Sequence, residues 1–168
     1  MRLIKLFENF KIFFICKRYY IKNYTINSDG TVDVDGDVHL FDKELTKLPL
    51  KFGKVGGNFN CNFNKLTTLE GCPQSVGGYF NCYNNYLKDL YSFPEFFDGE
   101  VYYQSNPVSE ILYLFKNVKL GKVIDLINEY GVIQQNGKVV ILDRLEEVFY
   151  TLNMEIPKEI NLKNYEVY

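Results

Sequence analysis

Residues 55–85 read VGGNFNCNFNKLTTLEGCPQSVGGYFNCYNN, and the pattern that opens this stretch returns after 21 residues. The same step separates Gly36, Gly57, Gly78 and Gly99. It also separates the members of four apolar registers, which are Val38/Phe59/Phe80/Val101, Leu40/Cys61/Cys82/Tyr103, Leu45/Leu66/Leu87/Val108 and Leu48/Leu69/Leu90/Ile111. A fixed repeat near twenty residues is typical of a solenoid, in which each coil buries its apolar side against its neighbours.

Each unit contains a triplet in which apolar and polar residues alternate, as in Phe59-Asn60-Cys61. Such alternation is typical of a short strand with one buried side. Because the triplets are equally spaced, we expect residues 38–40, 59–61, 80–82 and 101–103 to lie side by side as parallel strands. Two prolines, also 21 residues apart, favour extended or 3₁₀ segments over α-helices on the opposite side of the coils.

One polar register runs through the array. Asn64, Asn85 and Asn106 hold it, and Lys43 occupies it in the first unit. Stacked turns leave backbone N–H and C=O groups that need hydrogen-bond partners. We therefore expect the three side-chain amides to bond backbone groups of adjacent coils.

The residues before the array predict an N-terminal cap over residues 1–31. Apolar residues recur at helical spacing from Leu3, although residues 12–16 also fit a strand. Alternating runs around Asp29-Gly30 then indicate a hairpin. Five basic residues oppose only Glu8 in the first twenty. This composition suits either a cap or a helix on a membrane surface, and we favour the cap.

The residues after the array predict a C-terminal cap over residues 112–168. It should contain helices and a hairpin at Asn136-Gly137, which lies between two apolar runs. Asp143 is placed to cap the last helix, with Glu146 completing a capping box. With the array at residues 32–111, the predicted fold class is α+β: a short solenoid with a parallel strand face between two caps.

Composition excludes several classes of protein. The 168 residues carry 19 basic and 21 acidic side chains, a net charge of −2, which argues against nucleic-acid binding through phosphate neutralisation. No stretch reaches the ~18 apolar residues of a membrane span, and no signal-peptide cleavage site is recognisable. The four cysteines form no CxxC pair, and Cys61 and Cys82 fall in an apolar register. We expect reduced thiols and a cytoplasmic protein.

Catalytic and metal-binding patterns are absent from the sequence. It contains no GxSxG, HExxH or Walker loop and no paired-cysteine zinc spacing. Its single histidine, His39, has no serine or cysteine motif and no acidic partner of clear role. The run from Asp33 to Asp37 has acidic spacing like a calcium loop, but its glycine falls at the fourth position and not the sixth. We therefore expect no enzymatic activity, no cofactor and no metal.

The unit Phe59-x-Cys61-x-x-Asn64-x-Leu66 matches the second half of the leucine-rich-repeat pattern, and the short coils resemble those of bacterial effector proteins. The leucine expected at the start of the pattern is missing. The repeats more closely resemble a group of leucine-rich-repeat-like proteins encoded by large tailed bacteriophages, over residues 21–111. The resemblance implies a solenoid fold and a phage origin, and it carries no activity.

Outward positions of the predicted strands are the candidate binding residues, because they should face solvent on a concave sheet. Exposed rings among Asn and Tyr suit contact with a protein, since rigid rings act as anchors. The candidates are His39, Phe41, Asn60, Phe63, Tyr79, Asn81, Tyr83 and Tyr102.

These observations predict a non-enzymatic protein-interaction module that acts in the cytoplasm of an infected bacterial host. Its partner would be a host or phage protein, and counter-defence and host takeover are two uses that fit. The alternative is a virion or assembly protein that forms oligomers through its repeat edges or caps.

Overall fold

The computed structural model describes residues 2–134 and 136–168. The chain begins with a helix, α1 (Arg2–Arg18), and an antiparallel hairpin of β1 (Tyr24–Ile26) and β2 (Val32–Val34). Both elements are as predicted. The hairpin turn contains Gly30 with φ of +86°, a conformation that glycine adopts without steric cost.

The predicted parallel sheet is present, one strand per coil. Its order is β3-β5-β7-β9, and the 21-residue register holds throughout, since Phe59 pairs with Val38 on one side and Phe80 on the other. The four strands are β3 (Val38–His39), β5 (Phe59–Asn60), β7 (Phe80–Asn81) and β9 (Val101–Tyr102).

A second sheet, antiparallel at the β1–β2 hairpin and parallel from β2 onward, lies on another side of the coils. Extended or 3₁₀ structure was predicted on the side of the coils opposite the first sheet, but its pairing into a second sheet was not. The sheet has the order β1-β2-β4-β6-β8, so the N-terminal hairpin continues directly into the array. Its strands within the array are β4 (Phe52–Val55), β6 (Ser75–Val76) and β8 (Phe96–Phe97).

The interior of the array is filled by the apolar registers and lined by the asparagine register. Phe59 and Phe80 are fully buried and stack with ring centroids 5.9 Å apart. Asn64 Oδ1 accepts the N–H groups of Lys43 and Leu45 at 3.0 and 2.9 Å, and its Nδ2 donates to Leu40 O at 2.7 Å. The prediction that these amides join adjacent coils is confirmed.

The C-terminal region covers the last coil with helices and a small sheet. The hairpin around Asn136-Gly137 is confirmed, and the C-terminal strand pairs parallel with its second strand. Tyr165 is buried and its hydroxyl donates to Lys88 O at 2.8 Å, which ties the C-terminus to the array. The elements are α2 (Ser109–Leu112), a 3₁₀ turn (Tyr113–Phe115), α3 (Leu120–Glu129), β10 (Ile133–Gln134), β11 (Val139–Val140), α4 (Leu142–Thr151) and β12 (Glu166–Val167).

The predicted cap of α4 is wrong. The helix begins at Leu142 and its N-cap is Ile141, which makes no side-chain capping bond. Asp143 therefore lies within the first turn, where its charge favours the helix dipole without capping the N–H groups. None of the helices in the described residues is long and apolar enough to cross a membrane.

Candidate functional site

The outward positions of the β3-β5-β7-β9 sheet form one continuous surface. The ladder continues past the strands, since Cys61 N–H donates to Asn81 O and Phe63 N–H donates to Tyr83 O. Tyr79 lies directly before β7 and accepts the N–H of Phe59, so all eight candidate residues lie on this sheet or directly before or after its strands. We call them the aromatic face: His39, Phe41, Asn60, Phe63, Tyr79, Asn81, Tyr83 and Tyr102.

The rings of the aromatic face are paired edge to face. His39 lies beside Phe41 with centroids 6.4 Å apart, and Phe63 lies beside Tyr83 at 5.4 Å. Tyr79 lies beside Tyr102 at 6.1 Å. Such pairs hold their rings in fixed orientations and still leave ring area toward solvent.

Several of these rings remain open to solvent despite the pairing. Phe41 is 47% exposed, Phe63 is 51% exposed and Tyr102 is 39% exposed. Tyr79 and Tyr83 are half-buried. The chain thus displays apolar ring area to solvent on this sheet.

The two asparagines of the aromatic face form hydrogen bonds within the protein that the sequence analysis did not predict. Asn60 Oδ1 accepts the N–H of Asn62 at 3.2 Å, and Asn81 Oδ1 accepts the N–H of Tyr83 at 3.0 Å. Each amide therefore closes the turn that follows its strand. Their side-chain oxygens are therefore engaged within the protein.

Phe63 has an unusual backbone conformation for its side chain. Its φ is +50°, and the same left-handed corner recurs in the other coils at Asp42, Asn84 and Ser105. Asp and Asn tolerate this region because their short polar side chains bond locally, whereas a large side chain is strained there. Phenylalanine at this corner costs backbone energy that asparagine would avoid.

The ends of the aromatic face carry charge. His39 Nε2 lies 3.7 Å from Asp37 Oδ2, so the histidine does have an acidic neighbour, although the pair is exposed. At the other end the Tyr102 hydroxyl donates to Glu100 Oε2, and this carboxylate raises the pKa of Tyr102. A cleft of about 230 Å³ adjoins His39 and is lined by the end of α1, with Arg18, Tyr19 and Tyr20.

All four cysteines are free and buried, which the apolar register predicted for Cys61 and Cys82. Burial raises the pKa of Cys61 to about 12 and that of Cys16 to about 11, and it raises the pKa values of Cys72 and Cys82 well above their ordinary range. The thiolate is the reactive form. These cysteines should therefore behave as core residues.

We expect native labelling of the thiols by a maleimide at pH 7.5 to be slow. Burial blocks the reagent and the raised pKa values keep the thiols protonated, so modification should require opening of the structure. Mass spectrometry should find four rapid additions in denaturant and none on the same timescale in buffer. Rapid native modification of Cys61 or Cys82 would contradict their burial.

No metal centre is evident in the part of the chain that the structure describes, where no three His, Cys, Asp or Glu side chains approach closely enough to hold an ion. No known protein family matches the chain, and neither the curated proteins nor the solved structures contain a significant match to it. The aromatic face is therefore assessed on its own geometry.

Proposed function

We propose that this protein is a non-enzymatic protein-binding module whose partner docks on the aromatic face. The observation that carries the proposal is Phe63, an exposed ring held at a strained corner. Three pairs of rings and one unfavourable backbone conformation on a single sheet are better explained by contact with a partner than by stability. Strain of this kind concentrates at functional positions.

The chemistry of the face suits a protein partner. The rings of Phe41, Phe63 and Tyr102 offer large apolar area with few rotatable bonds, so ordering them on binding costs little entropy. The rings of Tyr79 and Tyr83 pair with Tyr102 and Phe63, and their hydroxyl groups can form hydrogen bonds to a partner. Aromatic anchors surrounded by polar groups are typical of interface centres.

The cellular setting is part of the proposal. The resemblance of the repeats to phage leucine-rich-repeat-like proteins supports a phage origin, and the reduced thiols suit the cytoplasm of an infected bacterium. In that setting the partner is a host or phage protein, and a component of host defence is one class that fits. An assembly role would instead use the caps or coil edges.

Paired alanine substitutions at Tyr79 and Tyr102 should weaken partner capture at least about tenfold. The two rings contact each other and lie outside the coil, so their removal should leave the melting temperature close to that of the parent. Pull-downs from infected-cell lysate, quantified by mass spectrometry, would measure the loss. The matched control replaces Phe96 and Tyr150, which are exposed by 67% and 68% away from this face.

Phe63→Asn provides a second test that separates binding from folding. Relief of the left-handed strain and loss of the contact with Tyr83 are each worth about 1 kcal/mol and act in opposite directions, so stability should hardly change. Partner capture should nevertheless fall. Undiminished recovery by this variant and by the tyrosine pair would move the interaction away from the aromatic face, toward the caps or coil edges.

A further inference from the structure

Only one side of α1 packs against the rest of the protein. Cys16 is buried, and Ile12 and Ile15 are half-buried against the core of the array. Ile21 N–H donates to Cys16 O at 2.9 Å and fixes the end of the helix. The contact is confined to the C-terminal half of the described side chains.

The opposite side of α1 carries large apolar side chains that are exposed to solvent. At 100° per residue their positions fall within an arc of roughly 120°. Their exposures range from 48% to 67%. We call them the phenylalanine stripe: Leu6, Phe7, Phe10, Phe13 and Phe14. The sequence prediction that this helix is simply a cap is therefore incomplete, because a cap would bury these rings.

The charge of α1 is opposite to that of the remaining chain. The helix has five basic residues and one acidic residue, a net +4, whereas the whole chain is −2 and the remainder is therefore −6. Lys11 and Arg18 are exposed and project beside the stripe, and Lys17 is exposed at its end. Apolar rings with flanking cations in one helix are typical of segments that lie in a membrane interface.

We propose that the phenylalanine stripe docks on the surface of an anionic phospholipid bilayer, with α1 lying in the plane of the interface. The rings would enter the boundary between headgroups and acyl chains, and Lys11, Lys17 and Arg18 would meet lipid phosphates. At ~25 Å in length, α1 is suited to lie along the surface.

Charge disfavours a second copy of this chain as the occupant. Two stripes packed face to face would bring two helices of net +4 together, and the like charges beside each stripe would repel. The side chains of the phenylalanine stripe also contain no oxygen or nitrogen atom that could form a hydrogen bond. A protein partner would find no side-chain hydrogen-bonding groups on the stripe to fix its orientation, whereas insertion into a bilayer does not require such groups.

The absence of tryptophan from the chain permits a direct test. Phe10→Trp would introduce a single fluorophore into the stripe, and Phe96→Trp would place the matched control on an exposed strand of the array. Emission of the full chain would be recorded with vesicles of phosphatidylcholine alone and of phosphatidylcholine with about a third phosphatidylglycerol. We expect a blue shift only for Phe10→Trp, and only with the anionic vesicles.

Flotation with the same vesicles would measure binding itself. Phe10→Gln with Phe14→Gln should reduce the bound fraction about tenfold, and Lys11→Glu with Arg18→Glu should do the same at low salt. Circular dichroism would verify that each variant keeps its fold. Absence of flotation by the parent chain would overturn the proposal, as would equal binding to neutral vesicles. Concentration-dependent dimers that the glutamine pair abolishes, without flotation, would identify a second copy as the occupant and equally overturn it.

Discussion

Replacing Gly99 by alanine is expected to lower the free energy of unfolding by about 3 kcal/mol. A β-carbon there would lie 2.7 Å from the carbonyl carbon of Gly78 and 2.8 Å from Gly78 O and Tyr79 N. All three are backbone atoms of the preceding coil, so no side chain can rotate away. The coils would have to separate, weakening the ladder between them. Urea unfolding followed by circular dichroism would give the change.

Gly36→Ala is the matched control for this prediction. Gly36 occupies the same register in the first coil, where a β-carbon would meet no atom within 4 Å. Its substitution should change stability by less than about 0.5 kcal/mol. Equal losses for the two variants would mean that alanine disturbs the corner itself, and that contact between coils does not explain the repeated glycine.

Asn85→Ala should cost about 3 kcal/mol or more of stability, because it removes the hydrogen bonds of a buried amide to backbone groups of two coils. Asn85 Oδ1 accepts the N–H of Leu66 at 3.0 Å, and its Nδ2 donates to Cys61 O and Cys82 O at 3.0 and 3.1 Å. The amide thus joins two coils through groups that have little access to water, since Asn85 is only 3% exposed. Thermal and urea unfolding would both report the loss.

Two other asparagines provide controls for the loss of stability expected of Asn85→Ala. Asn81 accepts a single N–H at a half-buried position, so Asn81→Ala should cost about 0.5–1 kcal/mol. Asn117 is exposed, and Asn117→Ala should be close to neutral. A loss at Asn85 no greater than that at Asn81 would show that solvent satisfies the orphaned groups and that the ladder contributes little.

The array was predictable from sequence because the same residue pattern recurs every 21 residues. One unit alone is ambiguous, but registers such as that of Phe59 and Phe80 fix both the direction of the strands and their alignment. The asparagine register was predictable for a physical reason, since a buried stack of turns must satisfy its backbone polar groups. Seven positions of the aromatic face followed from the same alternation, whereas Phe63 lies outward because the chain turns at its left-handed corner.

Other features could not be read from the sequence. The strands of the second sheet are two to four residues long, and a pair such as Ser75-Val76 carries no periodicity of its own. The first residue of α4 was misplaced because Asp143 has the chemistry of a cap, whereas the preceding strand leads directly into the helix at Leu142. In α1 both sides are apolar, so only the structure distinguishes the side with Cys16 from the side with Phe10.

The direction of the asparagine hydrogen bonds determines how further coils could be added to the array. Asn64 and Asn85 each bond the coil before them, whereas the first coil, which no other repeat precedes, has Lys43 at this position. If a 21-residue segment were duplicated in the middle of the array, its asparagine would bond backbone groups of the preceding coil. The backbone groups of the inserted coil would in turn be bonded by the asparagine of the next coil. Neither end would need to change, so the length of this array, and with it the extent of the aromatic face, can vary by whole coils through simple duplication.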